Sequence, residues 1–114
     1  MRRKMRAMGR SMTAPAMDPR SRFFLALSSD QRLKLIELLK DKEKNLSELT
    51  KELNIDVSVV SRHLMMLRNL GIVSTKKDKG YLYFFIADNR IFDLILLTNQ
   101  IVSDWFKHNQ KMFG

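Results

Sequence analysis

The stretch NLSELTKELNIDVSVVSRHLMMLRNLG, Asn45 to Gly71, constrains the fold of this chain more than any other. Asn45 followed three residues later by Glu48 has the spacing of a capping box, and Leu46, Leu49 and Leu53 recur behind it at i, i+3 and i+7. These residues predict a short helix. Asn54 suits a tight turn, and Asp56 caps a second helix whose entry is set by Ile55 and Val60 at the two positions of a hydrophobic staple. Gly71 then supplies the left-handed residue that stops it. Two short helices joined by three residues make a helix-turn-helix corner.

Residues 72–77 and 81–86 follow at once, rich in β-branched and aromatic types, and Asp78-Lys79-Gly80 between them reads as a three-residue hairpin loop. A helix-turn-helix followed by a basic-tipped hairpin is a winged helix. Ahead of the corner, Asp18-Pro19 offers an N-cap and a proline at the first helical position, with Phe23, Phe24 and Leu27 forming an apolar edge. Ser28 and Gln31 have the capping-box spacing for a second helix to about Lys40, striped by Leu33, Leu35, Ile36, Leu38 and Leu39. DKEK reads as a charged loop. From Asn89 to about Lys107 a long last helix carries Ile91, Leu94, Ile95, Ile101, Val102, Trp105 and Phe106 on one side. The expected fold is mainly α with a small β-hairpin, in the order α-α-α-α-β-β-α, over residues 18–110.

The fourth predicted helix carries the chemistry. On a 3.6-residue wheel Val60, Leu64 and Leu67 point inward and Ser58, Ser61, Arg62 and Met65 lie around the opposite pole. Such a helix fits the major groove of double-stranded DNA, where Arg62 can bond guanine and short serines can bond bases or phosphates. His63 is expected to pack or to contact a phosphate. Lys76, Lys77 and Lys79 are expected at the hairpin tip, where they neutralise phosphates beside the groove. Charge agrees with a polyanionic partner: the net charge is +9, of which residues 1–22 hold +6, and residues 1–17, rich in Met, Arg, Ser and Ala without helical or strand periodicity, are expected to be a disordered basic arm.

Other classes fall away on composition. No cysteine means no disulfide framework, thiolate metal site or thiol switch. No glycine-rich phosphate loop appears, and the two histidines lack a Ser/Asp constellation, so an enzyme is not expected and no cofactor is assigned. The longest apolar run, IFDLILL, is broken by Asp93 and falls short of a membrane span, and the basic N-terminus lacks the apolar region of a secretory signal. A cytoplasmic protein is expected. The rival reading is a winged helix that serves protein interaction without specific DNA binding.

The segments FLALSSDQRLKLIELLKDKEKNLSELTKEL, SVVSRHLMMLRNLGIV and KKDKGYLYFFI together resemble the ArsR-type winged-helix repressors of prokaryotes, over about residues 22–107. The resemblance implies a homodimer paired through its first and last helices, with Phe23, Phe24, Leu27, Ile91, Leu94, Ile95, Ile101, Val102, Trp105 and Phe106 at the interface. It also implies a repressor that binds an inverted repeat, with DNA-reading positions at Val57, Ser58, Ser61 and Arg62. Val57 departs from the polar residue often found there and is left to meet a thymine methyl or nothing. The family's thiolate positions in the third helix fall on Asn45 and Ser47, which do not replace thiolates for a soft metal. Of its last-helix zinc site only carboxylates, Asp88 and Asp104, lie near the right places, and Asp104 with His108 is a two-ligand pair. No metal is assigned, and the inducer or releasing partner is not encoded in any recognisable motif.

Overall fold

The computed structural model describes residues 17–113, with side chains described to Gln110. The basic arm expected over residues 1–17 lies, Met17 apart, outside the described residues. The elements in order are α1 (Pro19–Leu27), α2 (Asp30–Leu38), β1 (Lys44–Asn45), α3 (Leu46–Leu53), α4 (Val57–Asn69), β2 (Val73–Asp78), β3 (Tyr81–Ile86) and α5 (Arg90–Phe113). This is a winged helix-turn-helix, with one strand more than the sequence predicted.

Local chemistry explains most boundaries. Asp18 accepts a hydrogen bond from the backbone N–H of Arg20, with Pro19 opening α1 as its fixed φ allows. Asn45 and Glu48 form the full capping box, each side chain accepting from the other's backbone N–H at 2.9 Å. Asn54 ends α3 in the left-handed region at φ 56°, a conformation asparagine tolerates. Gly71, at φ 75°, ends α4: its N–H bonds the carbonyl of Arg68, and the N–H of Ile72 reaches back to Leu67. That is a Schellman turn.

Two boundaries differ from expectation. The N-cap of α2 is Ser29, whose hydroxyl accepts from Arg32 N–H at 3.3 Å, while Ser28 closes α1 instead. The hairpin loop has two residues, because Asp78 pairs with Tyr81 in the ladder and only Lys79 and Gly80 turn the chain. Both have positive φ, 51° and 85°, as a type I′ hairpin turn demands. The segment read as a charged loop ends in β1, which pairs antiparallel with β3 (Lys44 with Phe84, Asn45 with Tyr83) and makes the sheet order β1-β3-β2. Such a two-residue strand exists only through its partner.

The core gathers one face of each element. Leu35 and Ile36 from α2, Leu49 from α3, and Val60, Leu64 and Leu67 from α4 are fully buried, with Val73 and Phe84 closing the sheet side and Ala26 and Ile91 the far side. Truncating one such leucine to alanine costs about 2–5 kcal/mol through lost contact and cavity. The inward set read for α4 is therefore the observed one. Among the described side chains of α5, Ile91 alone is buried, and Leu94 and Ile95 pack partly on the core. Beyond them Leu96, Leu97, Ile101, Val102, Trp105 and Phe106 remain exposed. No helix among the described residues is long and apolar enough to cross a membrane.

Candidate nucleic-acid interface

The outward face of α4 follows from its inward one. Burying Val60, Leu64 and Leu67 turns Val57, Ser58, Arg62 and Met65 to solvent, with Ser61 half-buried at the flank. Val57 is half exposed, an apolar residue at the open end of the helix. Arg62 has no ion-pair partner among the described residues, so its five donors are available to a ligand.

Ser58 is more committed than sequence suggested. Its hydroxyl and its backbone N–H both donate to Asp56 Oδ1, the backbone bond at 2.8 Å. These bonds, with the nearby Arg62 as a lesser influence, hold the Asp56 carboxyl below its ordinary pKa. Ser58 can therefore offer a base only its oxygen lone pairs. It acts as an acceptor.

Of the two places expected for His63, packing and a phosphate contact, the structure shows the first. Its Nδ1 lies 3.0 Å from Arg32 Nη1 and its Nε2 lies 2.7 Å from Gln31 Oε1. Both ring nitrogens are used inside the protomer, which leaves none for a phosphate. Burial first, then the charges of Arg32 and Arg62, lower its pKa. His63 belongs to the seam between α2 and α4. Sequence reading missed Arg32 altogether, although Arg32, Leu35, Ile36 and Leu39 share the i, i+3, i+4, i+7 spacing of one buried stripe. A lone cation within such a stripe was the signal.

The wing also distributes its charge differently. Side chains alternate along a strand, so Lys76, opposite Tyr83, and Lys77, opposite Leu82, lie on opposite faces. Lys76 Nζ is bound to Glu43 Oε1 at 3.0 Å. Among the described residues Lys77 and Lys79 carry no such pair, and with Lys76 and Lys77 on opposite faces the three lysines do not form one cluster. Asn45, at a position that the resemblance assigns to a metal-binding thiolate, is occupied in capping α3. Among the described residues no three potential metal-binding side chains (His, Cys, Asp or Glu) converge.

The residues expected at a dimer interface fall in two groups. Ile91 is 5% exposed and lies within the protomer's own core, with Phe23, Leu27, Leu94 and Ile95 partly covered beside it. Phe24, Ile101, Val102, Trp105 and Phe106 are each between 45% and 61% exposed, and the Trp105 and Phe106 rings meet edge to face.

Known proteins place this arrangement. The family model described as bacterial regulatory protein, arsR family, matches residues 29–75, which span α2, the helix-turn-helix and the start of the wing. A probable mercury resistance operon repressor of Streptomyces lividans is 33% identical over 87 residues, which are 76% of this chain and 70% of that protein. The transcriptional activator HlyU of Vibrio cholerae is 28% identical over 76 residues, 67% of this chain and 70% of that one. In three dimensions the chain is similar to the homodimeric winged helix-turn-helix DNA-binding domain of a possible ArsR-family regulator from Mycobacterium bovis. The TM-score is 0.70 at 20% identity, covering 84% of this chain and 95% of that one.

Proposed function

Because the chain belongs to the ArsR family of bacterial regulatory proteins, we propose that it is a sequence-specific DNA-binding repressor that acts as a homodimer on an inverted-repeat operator. The observation that carries the reading is the outward face of α4. Arg62, without an ion-pair partner among the described residues, stands there between Ser58 and Met65 on a helix anchored by three fully buried side chains.

Two protomers present two such helices. The exposed apolar surface of α1 and α5 supports their pairing, since a continuous set of large apolar side chains in water is costly unless covered. In the groove Arg62 reads guanine through a bidentate bond, Ser58 accepts from a base amino group and Val57 meets a thymine methyl. Lys77 and Lys79 hold phosphates on either side of the wing tip, and the basic arm of residues 1–17 adds contacts that depend on salt rather than sequence. Repression is the sign of regulation supported by the Streptomyces lividans relative. Fluorescence anisotropy on the chain's own upstream DNA against scrambled DNA tests the reading. A preference of about a thousandfold at physiological salt supports it, and equal, salt-erased binding to both overturns it.

A further inference from the structure

Arg32 is buried to 8% exposure, the single charged side chain in the core among the described residues. Its Nε donates to the carbonyl of Ala26 and its Nη2 to that of Leu25 at 3.3 Å, both in the last turn of α1. From the other side of the guanidinium, Nη1 reaches His63 Nδ1 at 3.0 Å and Met66 Sδ at 3.2 Å, both on α4. One side chain of α2 thus joins the end of α1 to the reading helix.

We propose that Arg32 is a positioning residue for DNA recognition: through a neutral His63 it fixes α4 to the end of α1, and protonating His63 releases that fix. The proposal rests on the DNA-reading role assigned to α4 above. A guanidinium has only donors, so Nδ1 must present its lone pair and the ring proton must sit on Nε2, donated to Gln31 Oε1 at 2.7 Å. A second proton would go to Nδ1. It would set donor against donor and cation against cation across 3.0 Å.

Among the described residues no compensating negative charge acts on the ring. The cations acting on it are Arg32 of α2 and Arg62 of α4, while Gln31 of α2 and Met66 of α4 are neutral and α1 contributes carbonyl oxygens to Arg32. The contact is therefore complete at neutral pH and lost on acidification. That sign is opposite to the bulk effect, since added positive charge ordinarily strengthens attraction to DNA.

The test uses the full chain at fixed salt, with anisotropy on upstream and scrambled duplexes between about pH 7.5 and about pH 5, the interval in which a histidine titrates. Hydrogen exchange over α1 and α4, corrected for intrinsic rates, is followed without DNA. The ratio of the two affinities cancels non-specific charge effects. The expected result is a preference about three- to tenfold smaller at the acidic end, with protection falling together at the end of α1 and in α4. His63→Asn keeps an acceptor toward Arg32 and does not titrate, so its preference is expected to be flat across the range. A wild-type preference that holds or rises on acidification, unchanged exchange, or an equal slope in His63→Asn overturns the proposal. Absence of any preference at neutral pH overturns the regulator reading itself, and is recognised before acidification begins.

Discussion

Lys76 and Glu43 form an ion pair of 3.0 Å that ties the wing to the segment between α2 and β1. Both partners are substantially exposed, so the pair adds little to stability. Its effect is on the local charge, because the Lys76 cation is already matched while Lys77, on the opposite face, has no ion-pair partner among the described residues.

The wing lysines should therefore separate. Lys77→Ala is expected to weaken specific and random DNA alike and to lower the salt slope by about one contact, whereas Lys76→Ala changes both less. Glu43→Gln should tighten binding by removing a negative charge and freeing Lys76. Salt titrations of the three variants check this ordering, and equal losses for Lys76→Ala and Lys77→Ala would contradict it.

At Arg62 the expected loss is selective. Arg62→Ala should cost about 1–3 kcal/mol on the upstream DNA and relax base preference there, with a smaller change on scrambled DNA. Competition binding with singly substituted duplexes measures it. A uniform loss across sequences would make Arg62 a phosphate contact.

The capping box of α3 can be probed away from any DNA contact by thermal unfolding. Asn45→Ala removes the acceptor of the 2.9 Å bond from Glu48 N–H and should cost about 1 kcal/mol, or a fall of about 4–8 °C in Tm. An unchanged Tm would show that tertiary contacts alone hold this turn.

Acid sensitivity is expected at the start of α5. The side chain of Arg90, then its backbone N–H, lower the Asp88 carboxyl to about 2. A carboxyl with a depressed folded pKa contributes stability that is complete above its unfolded value of about 4 and is lost as pH falls to about 2. Carboxyl NMR titration should place the Asp88 midpoint near the lower figure. Asp88→Asn should remove this part of the acid dependence.

Pairing through α5 predicts that Trp105→Glu yields monomers of unchanged helical content, because Trp105 is 59% exposed and contributes little to its own protomer's core. Sedimentation and circular dichroism together read the outcome. A dimer that survives the substitution would move the interface elsewhere.

Much of this was legible in the sequence where short-range chemistry decides. Asn45 with Glu48, Asn54, Asp56 and Gly71 announce their roles by spacing alone, and the inward side of α4 follows from its period. What escaped depends on distant partners. β1 is two residues defined by β3, and Ser29 rather than Ser28 caps α2 because α1 claims Ser28. The sequence leaves packing and a phosphate contact both open for His63, because nothing near it in sequence shows that α2 brings Arg32 and Gln31 against both its nitrogens. The wing lysines look clustered as letters and separate once the pleat places them.

The Schellman turn at Gly71 leaves three residues between the last residue of α4 and the first of β2, and the last of these, Ile72, is anchored by its N–H to the carbonyl of Leu67 and by its carbonyl to Ala87 N–H. The short connection and its two backbone hydrogen bonds tie the wing directly to the end of α4. On the proposed DNA-binding reading a duplex would meet them as a caliper of fixed span, so the width between the groove entered by α4 and the backbone touched by the wing would become something the protein measures. DNA whose shape already fits that span would then be favoured even at base pairs that no side chain reaches.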